Sequence, residues 1–366
     1  MDSTEIDSQT DLFFALKPRY AGEAVNVAFR RGDETLSREI TLVDKLRPYM
    51  AGFLGVLTER VAVTDVAENG EKSQGMAVRY VYPDSPAARA EIRAGDRLTR
   101  IGDTEVASRD DALEAVQAVA AGQEVELEVT REGQTRMVTL QAVALPEQIP
   151  ADVPAPRRPS AEAPDAAVET GPIAVKLPDL ARETPAYVPR TFRSDVPHGL
   201  LVWLGEGRGE NAVEPWIALC DRYDLILLAP SPAGDNWEGE DLEYLSRVIP
   251  EVISRYGVDE ERVVVGGSGA GAMAAFAAAG EMRERIRGVA AVEAGPPEQV
   301  RLASDPVQRL AILLAFDEEG ENAADRSQAA EALREAALPV TVVEEDALTD
   351  ELRGTIAKWI DTLDRF

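Results

Sequence analysis

Residues 258–271 read VDEERVVVGGSGAG, and this stretch decides the fold of the C-terminal half of the chain. Val263, Val264 and Val265 form a short continuous apolar run, which predicts a strand buried on both faces of a parallel sheet. The small residues that follow let the backbone turn sharply from this strand into a helix, whose N-terminus supplies amide donors. Ser268 lies in the turn and is therefore a candidate nucleophile.

Short apolar runs alternate with helical periodicity on both sides of this stretch, from residue 190 to residue 366. Continuous apolar strands that are each followed by a helix predict an α/β domain with a mostly parallel, doubly wound sheet. The predicted strands lie near residues 200–204, 225–229, 263–265, 289–292, 310–316 and 340–343. The predicted helices cover residues 242–256, 270–279, 323–336 and 351–363.

The stretch from Asp259 onward resembles the nucleophile elbow of α/β-hydrolases, especially of esterases and polyester depolymerases. The matching features are an Asp-x-x-Arg turn ending at Arg262, the strand after it, and a Gly-x-Ser-x-Gly pattern at residues 266–270 in which alanine replaces the second glycine. The resemblance implies a domain of α/β-hydrolase type with Ser268 as its nucleophile.

A serine nucleophile needs a general base, and the histidine that supplies it in this family has no counterpart here. The family places an acid after the strand at 310–316, where Asp317 stands, and a histidine after the last strand, where residues 344–349 read EEDALT. His198 precedes the first central strand and is expected at the opposite edge of the sheet. Glu206 stands where the family needs oxyanion donors. We therefore predict an inactive domain; the alternative is an active esterase whose serine uses a base other than histidine.

The same glycines satisfy a second pattern, that of a dinucleotide-binding fingerprint. Gly267-x-Gly269-x-x-Ala272 follows a predicted strand, and Glu293 stands 26 residues after Gly267, at the end of the next strand. Such a fingerprint usually opens its domain, whereas two strand-helix units precede this one. Dinucleotide binding at Gly267–Gly271 is thus a further alternative, and the preferred interpretation involves no cofactor and no metal.

Four short stretches in the N-terminal half carry another resemblance. They read GFLGV at residues 52–56, DSPAA at 84–88, AGDRL at 94–98 and REG at 131–133. Together they make residues 50–143 similar to a PDZ domain of the bacterial Do-type (HtrA-like) serine proteases, which implies a small, partly open β-barrel with helices.

In that family the amides of the glycine-rich loop bind the C-terminal carboxylate of a peptide, and the strand after the loop pairs with it. The opposite wall of the groove would be a helix starting at Arg109 and capped by Ser108. One departure is Glu91, where the family usually has a glycine that ends a short helix. The implied peptide-binding residues are Gly52, Phe53, Leu54, Gly55, Val56, Leu113 and Val116.

Part of this domain recurs at an offset of 100 residues. Ser8 recurs as Ser108, and the apolar alternation of residues 25–29 recurs at 125–129. We interpret residues 1–45 as the C-terminal half of a first PDZ domain and expect the chain to start inside a longer protein.

A proline-rich segment separates the two folded regions. Residues 146–189 contain ten of the 23 prolines, which predicts a semi-rigid linker rather than a folded unit.

Composition excludes several classes of function. With 38 Lys plus Arg and 66 Asp plus Glu, the formal charge is −28, which argues against binding nucleic acid. One cysteine and one histidine exclude an intrachain disulfide and a Cys/His zinc site. No apolar run approaches the roughly 20 residues that span a bilayer.

The leading hypothesis is a peptide-binding and scaffolding region of a larger Do-type protease or protease-like protein. Its partners would be peptide or protein C-termini and an upstream protease-like domain, and a homo-oligomer stays open. The compartment would be periplasmic, and thus extracytoplasmic, if the resemblance holds for the whole protein.

Overall fold

The structure is a computed structural model that describes residues 5–31, 34–44, 48–61, 75–157, 168–205, 213–317, 319–320, 323–345 and 347–366. These residues form two compact units, Met1–Pro48 and Tyr49–Phe366. Glu206 lies outside the described residues.

The first unit contains one helix followed by an antiparallel hairpin. Its elements are α1 (Gln9–Leu16), β1 (Ala24–Arg31) and β2 (Glu34–Thr41). The Ser8 hydroxyl accepts a hydrogen bond from the amide of Asp11 and so caps α1. Phe13 and Phe14 are 60% and 61% exposed, so this helix leaves a large apolar face uncovered.

The PDZ region opens the second unit with a small antiparallel sheet and two helices. Strand order in its main sheet is β4-β5-β6-β8-β9, with β7 beside β6, while β3 pairs with β10. The elements are β3 (Gly52–Phe53), β4 (Val56–Thr58), β5 (Met76–Val81), α2 (Pro86–Arg89), β6 (Arg97–Ile101), β7 (Thr104–Glu105), α3 (Arg109–Gln117), β8 (Glu124–Arg131), β9 (Gln134–Gln141) and β10 (Val143–Ala144).

The sequence repeat is also a structural repeat. The hairpin β8–β9 has the same strand bounds and register as β1–β2 after a shift of 100 residues. Helix α3 begins 100 residues after α1 and is one residue longer, and Ser108 caps it through a reciprocal capping box with Asp111. Glu91 adopts a φ of 57°, the left-handed conformation that favours glycine, as its departure from the family pattern predicts.

The α/β region is built on an eight-stranded sheet of order β11-β12-β14-β13-β15-β16-β17-β18. Strand β12 is antiparallel to both of its neighbours, and the strands from β14 to β18 are parallel. The strands are β11 (Gly171–Lys176), β12 (Glu183–Val188), β13 (His198–Leu204), β14 (Leu225–Leu228), β15 (Val258–Ser268), β16 (Gly288–Val292), β17 (Ala311–Ala315) and β18 (Val340–Val343).

Helices cover both faces of this sheet, as predicted for a doubly wound domain. One apolar core lies under α5, α6 and α7, and a second lies under α4 and α8. The helices are α4 (Ile217–Tyr223), α5 (Gly239–Tyr256), α6 (Ala270–Glu281), α7 (Ala323–Glu335) and α8 (Asp350–Ile360). Within the described part of the chain, no helix combines the length and apolar character needed to cross a membrane.

The predicted linker is wrong for residues 171–188, which form the two strands β11 and β12 at the sheet edge. Pro172 fits there because an edge strand leaves one side of its backbone unpaired. Pro185 offers no amide, but its carbonyl accepts a hydrogen bond from Ala229. The α/β domain therefore begins near Gly171 rather than at residue 190.

Candidate functional site

The glycine-rich loop at residues 52–56 holds the last residue of the sequence, Phe366. The amides of Gly55 and Val56 donate to the carbonyl oxygen of Phe366 at 2.8 and 3.2 Å, and the amide of Phe366 donates to the carbonyl of Val56 at 2.9 Å. Gly55 has a φ of 104°, and a Cβ there would lie 2.1 Å from the Ser85 hydroxyl. Only glycine therefore lets the two loop amides converge on one oxygen.

The side chain of Phe366 is fully buried in the apolar core of the PDZ region. Four of the predicted peptide-binding residues belong to the same cluster: Leu54, Val56, Leu113 and Val116. We call the space between the 52–56 loop with β4 and the helix α3 the groove. The groove thus combines backbone donors, a strand edge and an apolar pocket.

The other two predicted residues have different partners. The amide of Gly52 donates to the carbonyl of Val119 at 2.9 Å. The ring of Phe53 packs edge-on against Tyr82 at 4.9 Å in a separate small cluster with Leu57. Gly52 and Phe53 therefore anchor the loop to other parts of the PDZ region.

A buried set of charged residues, which we call the charge network, lies between the groove and the α/β domain. Arg60 donates to the Asp364 carboxylate from Nε at 2.8 Å and to the Asp361 carboxylate from Nη1 at 2.7 Å. All three side chains are at most 4% exposed. The network consists of Arg60, Arg79, Arg109, Asp259, Arg262, Asp361 and Asp364.

Helix α3 is tied to the α/β domain through this network. Arg109, its first residue, makes a bidentate contact with Asp259 at 3.0 and 3.1 Å and also reaches Asp364 at 3.3 Å. Asp259 in turn pairs with Arg262 at 3.0 Å, so the Asp-x-x-Arg turn noted in the sequence holds one wall of the groove. Sequence patterns gave no signal for Arg60 or Asp364, because their pairing joins positions 304 residues apart.

The network sets the protonation of its carboxyl groups. Burial alone would raise the pKa of Asp364, but Arg60 and Arg109 outweigh burial and hold this pKa well below its usual range. The pKa of Asp259 is also lowered: burial opposes the shift, and Arg109 and Arg262 outweigh it. Both groups are therefore carboxylates at neutral pH.

The strand-to-helix elbow is placed one residue later than the sequence predicts. Ser268 is still the last residue of β15, whereas Gly269 adopts the strained turn conformation, with φ 51° and ψ −116°, and α6 begins at Ala270. Added Cβ atoms at Gly267 and Gly271 would both collide with backbone, at 2.6 and 2.3 Å. The elbow is thus Gly267-Ser268-Gly269-Ala270-Gly271, and its apex residue has no side chain.

The remaining predicted catalytic groups do not assemble around the elbow. The Asp317 carboxylate accepts a hydrogen bond from the amide of Glu319 at 2.8 Å and so closes a local turn. His198 begins β13, its Nδ1 lies 2.6 Å from the carbonyl oxygen of Val196, and its ring packs on Phe192. Because the elbow follows the other end of the parallel strands, six residues or about 20 Å of strand separate it from His198.

An apolar cleft of about 660 Å³ lies beside the elbow, between the start of α5 and helix α6. Its lining includes Trp237, Leu242, Ala270 and Met273. The charged groups at its rim are Glu238, Glu281 and Arg301.

For the dinucleotide alternative, the structure gives the position of the fingerprint. The fingerprint follows β15, which is the fifth in chain order of the eight strands of the α/β sheet. The amide of Gly269 donates to the carbonyl of Val292 at 3.0 Å, so this donor is already used by the protein.

The folds described above are a PDZ domain joined to an eight-stranded, mostly parallel, doubly wound α/β sheet. The PDZ domain family model matches residues 52–141.

Known proteins resemble the chain region by region. A probable periplasmic serine endoprotease, DegP-like, from Pseudomonas fluorescens is 33% identical over 99 residues, which cover 26% of this chain and 21% of that protein. The corresponding protein of Halomonas elongata is 34% identical over 90 residues, covering 24% and 19%. The chain therefore spans about a fifth of the length of these curated relatives.

Solved structures also resemble parts of the chain. The HtrA-type protease AlgW with decapeptide is 30% identical over 26% of this chain and 30% of its own, with a TM-score of 0.24. A thermostable esterase is 19% identical over 53% of this chain and 59% of its own, with a TM-score of 0.40.

Proposed function

We propose that this chain is a peptide-binding and scaffolding region whose PDZ domain captures the C-terminal ends of peptides in the groove. The observation that carries the proposal is the convergence of the Gly55 and Val56 amides on the carbonyl oxygen of a terminal residue. Two donors aimed at one oxygen favour an anionic chain end, because each hydrogen bond to a charged acceptor is stronger than one to a neutral acceptor.

Three features of the groove suit a terminal residue with an apolar side chain. The loop amides would bind the carboxylate, and the carbonyl of Val56 would accept the amide of the terminal residue. The pocket lined by Leu54, Leu113 and Val116 would bury the side chain. This combination of main-chain pairing and a side-chain pocket is the recognition mode of strand addition.

We propose further that the α/β domain is a scaffold without hydrolase activity. Gly269 puts no nucleophile at the elbow apex, and the sequence has no histidine in the loop after the last strand. Asp317 is engaged in its own turn. A hydroxyl in the adjoining strand needs a base for its activation, and the histidine that supplies it in the family has no counterpart after the last strand.

As part of a longer protein, the chain would supply peptide capture to an upstream protease-like domain in the periplasm. The similarity to probable periplasmic serine endoproteases of the DegP-like kind supports this assignment.

The test is fluorescence polarisation with a labelled peptide of residues 361–366, DTLDRF, added to the full chain carrying Phe366→Ala. This substitution removes the aromatic ring from the pocket. We expect the peptide with a free carboxylate to bind at least about tenfold more tightly than the same peptide with a C-terminal amide, a difference of about 1.4 kcal/mol. Equal affinity of the two peptides would rule out carboxylate capture.

A further inference from the structure

We infer that residues 361–366, here called the tail, are an intramolecular ligand of the groove, so that an external chain end has to displace them. This inference rests on the proposed function, because it names the partner that occupies the same site. It goes further in assigning the ligand chemistry: an apolar aromatic residue at the end and a carboxylate two residues before it.

The main-chain contacts of Phe366 are those of a ligand. Its carbonyl oxygen accepts from two loop amides on one side, and its own amide donates to Val56 on the other. The chain end is thus paired at both of its backbone groups, while its side chain is buried in the core of a domain from which it is separated by more than 200 residues in sequence.

The preceding residues aim the tail at the groove. Helix α8 ends at Ile360, and turns closed by the amides of Leu363 and Arg365 follow it. These turns keep the tail compact, so only Phe366 pairs with β4.

Arg60 and Arg109 give the groove a preference for acid at the second residue before the end. Arg60 binds both oxygens of Asp364, at 2.8 and 3.2 Å, and Arg109 reaches the same carboxylate from the start of α3. The Arg60 side chain is 2% exposed. A neutral residue at the position of Asp364 would leave this buried guanidinium with one carboxylate fewer, which is costly.

Because the tail is covalently attached, it competes at an effective concentration of the order of millimolar or more. We call a chain opened when its tail no longer occupies the groove. An external peptide with the same contacts binds the intact chain with an apparent Kd equal to its Kd for an opened chain divided by the fraction of intact chains whose groove is free. We expect the apparent Kd for DTLDRF to be at least about tenfold higher for the unmodified chain than for an opened chain.

Two opened chains are compared with the unmodified one. The first carries Phe366→Ala, and the second keeps Phe366 but adds the residues Gly-Ser-Gly-Ser after it, which removes the free chain end without touching a core side chain. Phe366→Leu is the matched control, because it keeps an apolar terminal residue. Hydrogen exchange at β16, an interior strand of the α/β sheet, verifies that each chain is folded.

Two readouts are taken on each chain. Hydrogen exchange over residues 52–60 reports whether the loop amides are held by the tail, and fluorescence polarisation with DTLDRF reports access to the groove. We expect exchange over 52–60 to be at least about tenfold faster in both opened chains, with tighter peptide binding, and little change in Phe366→Leu.

The outcomes separate the two ideas. If exchange over residues 52–60 is the same in all chains, or if all chains bind DTLDRF with the same Kd, the tail is not the groove's ligand. If exchange responds but DTLDRF binds no chain, tail docking survives and the capture of external peptides fails. A companion peptide with Asp364→Asn should bind the opened chains about tenfold more weakly than DTLDRF; equal binding would overturn the assigned preference for acid.

Discussion

Replacing Arg60 by methionine tests how strongly the charge network stabilises the protein. Methionine keeps much of the side-chain length but removes two hydrogen bonds to Asp364 and two to Asp361, one of them to its main-chain carbonyl. Asp364 keeps Arg109, and Asp361 keeps Arg79. Removing one partner of a buried ion pair costs about 3–5 kcal/mol. Because each carboxylate retains a second arginine, we expect the lower end of this range, a loss of about 3 kcal/mol in the free energy of unfolding.

The assay is urea denaturation followed by tryptophan fluorescence, with Asp364→Asn and the double variant completing a cycle. Since the two side chains are in direct contact, the double variant should lose about 1–3 kcal/mol less than the sum of the single losses. Arg247→Met is the matched control, because it breaks an exposed pair with Asp179 that should contribute less than about 1 kcal/mol. If Arg60→Met costs no more than Arg247→Met, or if the cycle is additive, the network does not stabilise the protein as argued.

Further expectations concern the elbow, the loop and pH. Ser268→Ala should leave any hydrolysis of p-nitrophenyl acetate unchanged, and a loss of turnover would contradict the inactive elbow. Gly269→Ser, which restores a hydroxyl at the apex, should still give no turnover, while its φ of 51° costs about 1–3 kcal/mol in the same denaturation assay. Gly55→Ala should weaken DTLDRF binding at least about tenfold in the opened chains, because the new Cβ meets the Ser85 hydroxyl; unchanged affinity would contradict the loop geometry. The folded state lowers the pKa of Asp364, so the stabilising contribution of this group is complete above the ordinary carboxyl pKa of about 3.9 and declines as the pH falls below it. Between pH 7 and pH 3 the unmodified chain should therefore lose more free energy of unfolding than Asp364→Asn, as measured by urea denaturation at each pH.

Much of the architecture follows from local pattern. Strand β18 has the predicted bounds of residues 340–343, and α7 differs from its predicted range by one residue. The repeat at an offset of 100 residues predicts the hairpin β1–β2 from its later copy. Such elements can be predicted from the sequence because apolar periodicity and capping residues act over a few neighbouring positions.

The position of the elbow apex is a feature that the local sequence pattern does not determine. Residues 266–270 have serine at the centre but alanine in place of the second glycine, whereas residues 267–271 have glycine at both ends but Gly269 at the centre. Only the backbone decides between them, since the positive φ falls on Gly269. Sequence spacing alone does not distinguish an elbow centred on Ser268 from one centred on Gly269, because both have small residues around the centre and so meet the steric needs of the turn.

The edge strands and the tail were beyond sequence reasoning for different reasons. Pro172 is typical of a linker unless the edge position of β11 is known, and Pro185 is typical of one unless its carbonyl bond to Ala229 is known. The contact between Phe366 and the loop at 52–56 depends on the whole α/β domain folding between them, and no short-range signal reports it.

Arg109 touches both Asp259 of the sheet and Asp364 of the tail, and this shared arginine has a mechanical consequence. A peptide that replaces the tail removes one of the contacts that join the PDZ domain to the α/β domain. Binding of a peptide in the groove and loss of the contact between Arg109 and Asp364 would thus be linked, so that whatever favours one favours the other. If this exchange takes place, a bound peptide only a few residues long would weaken the contact between the PDZ and α/β domains.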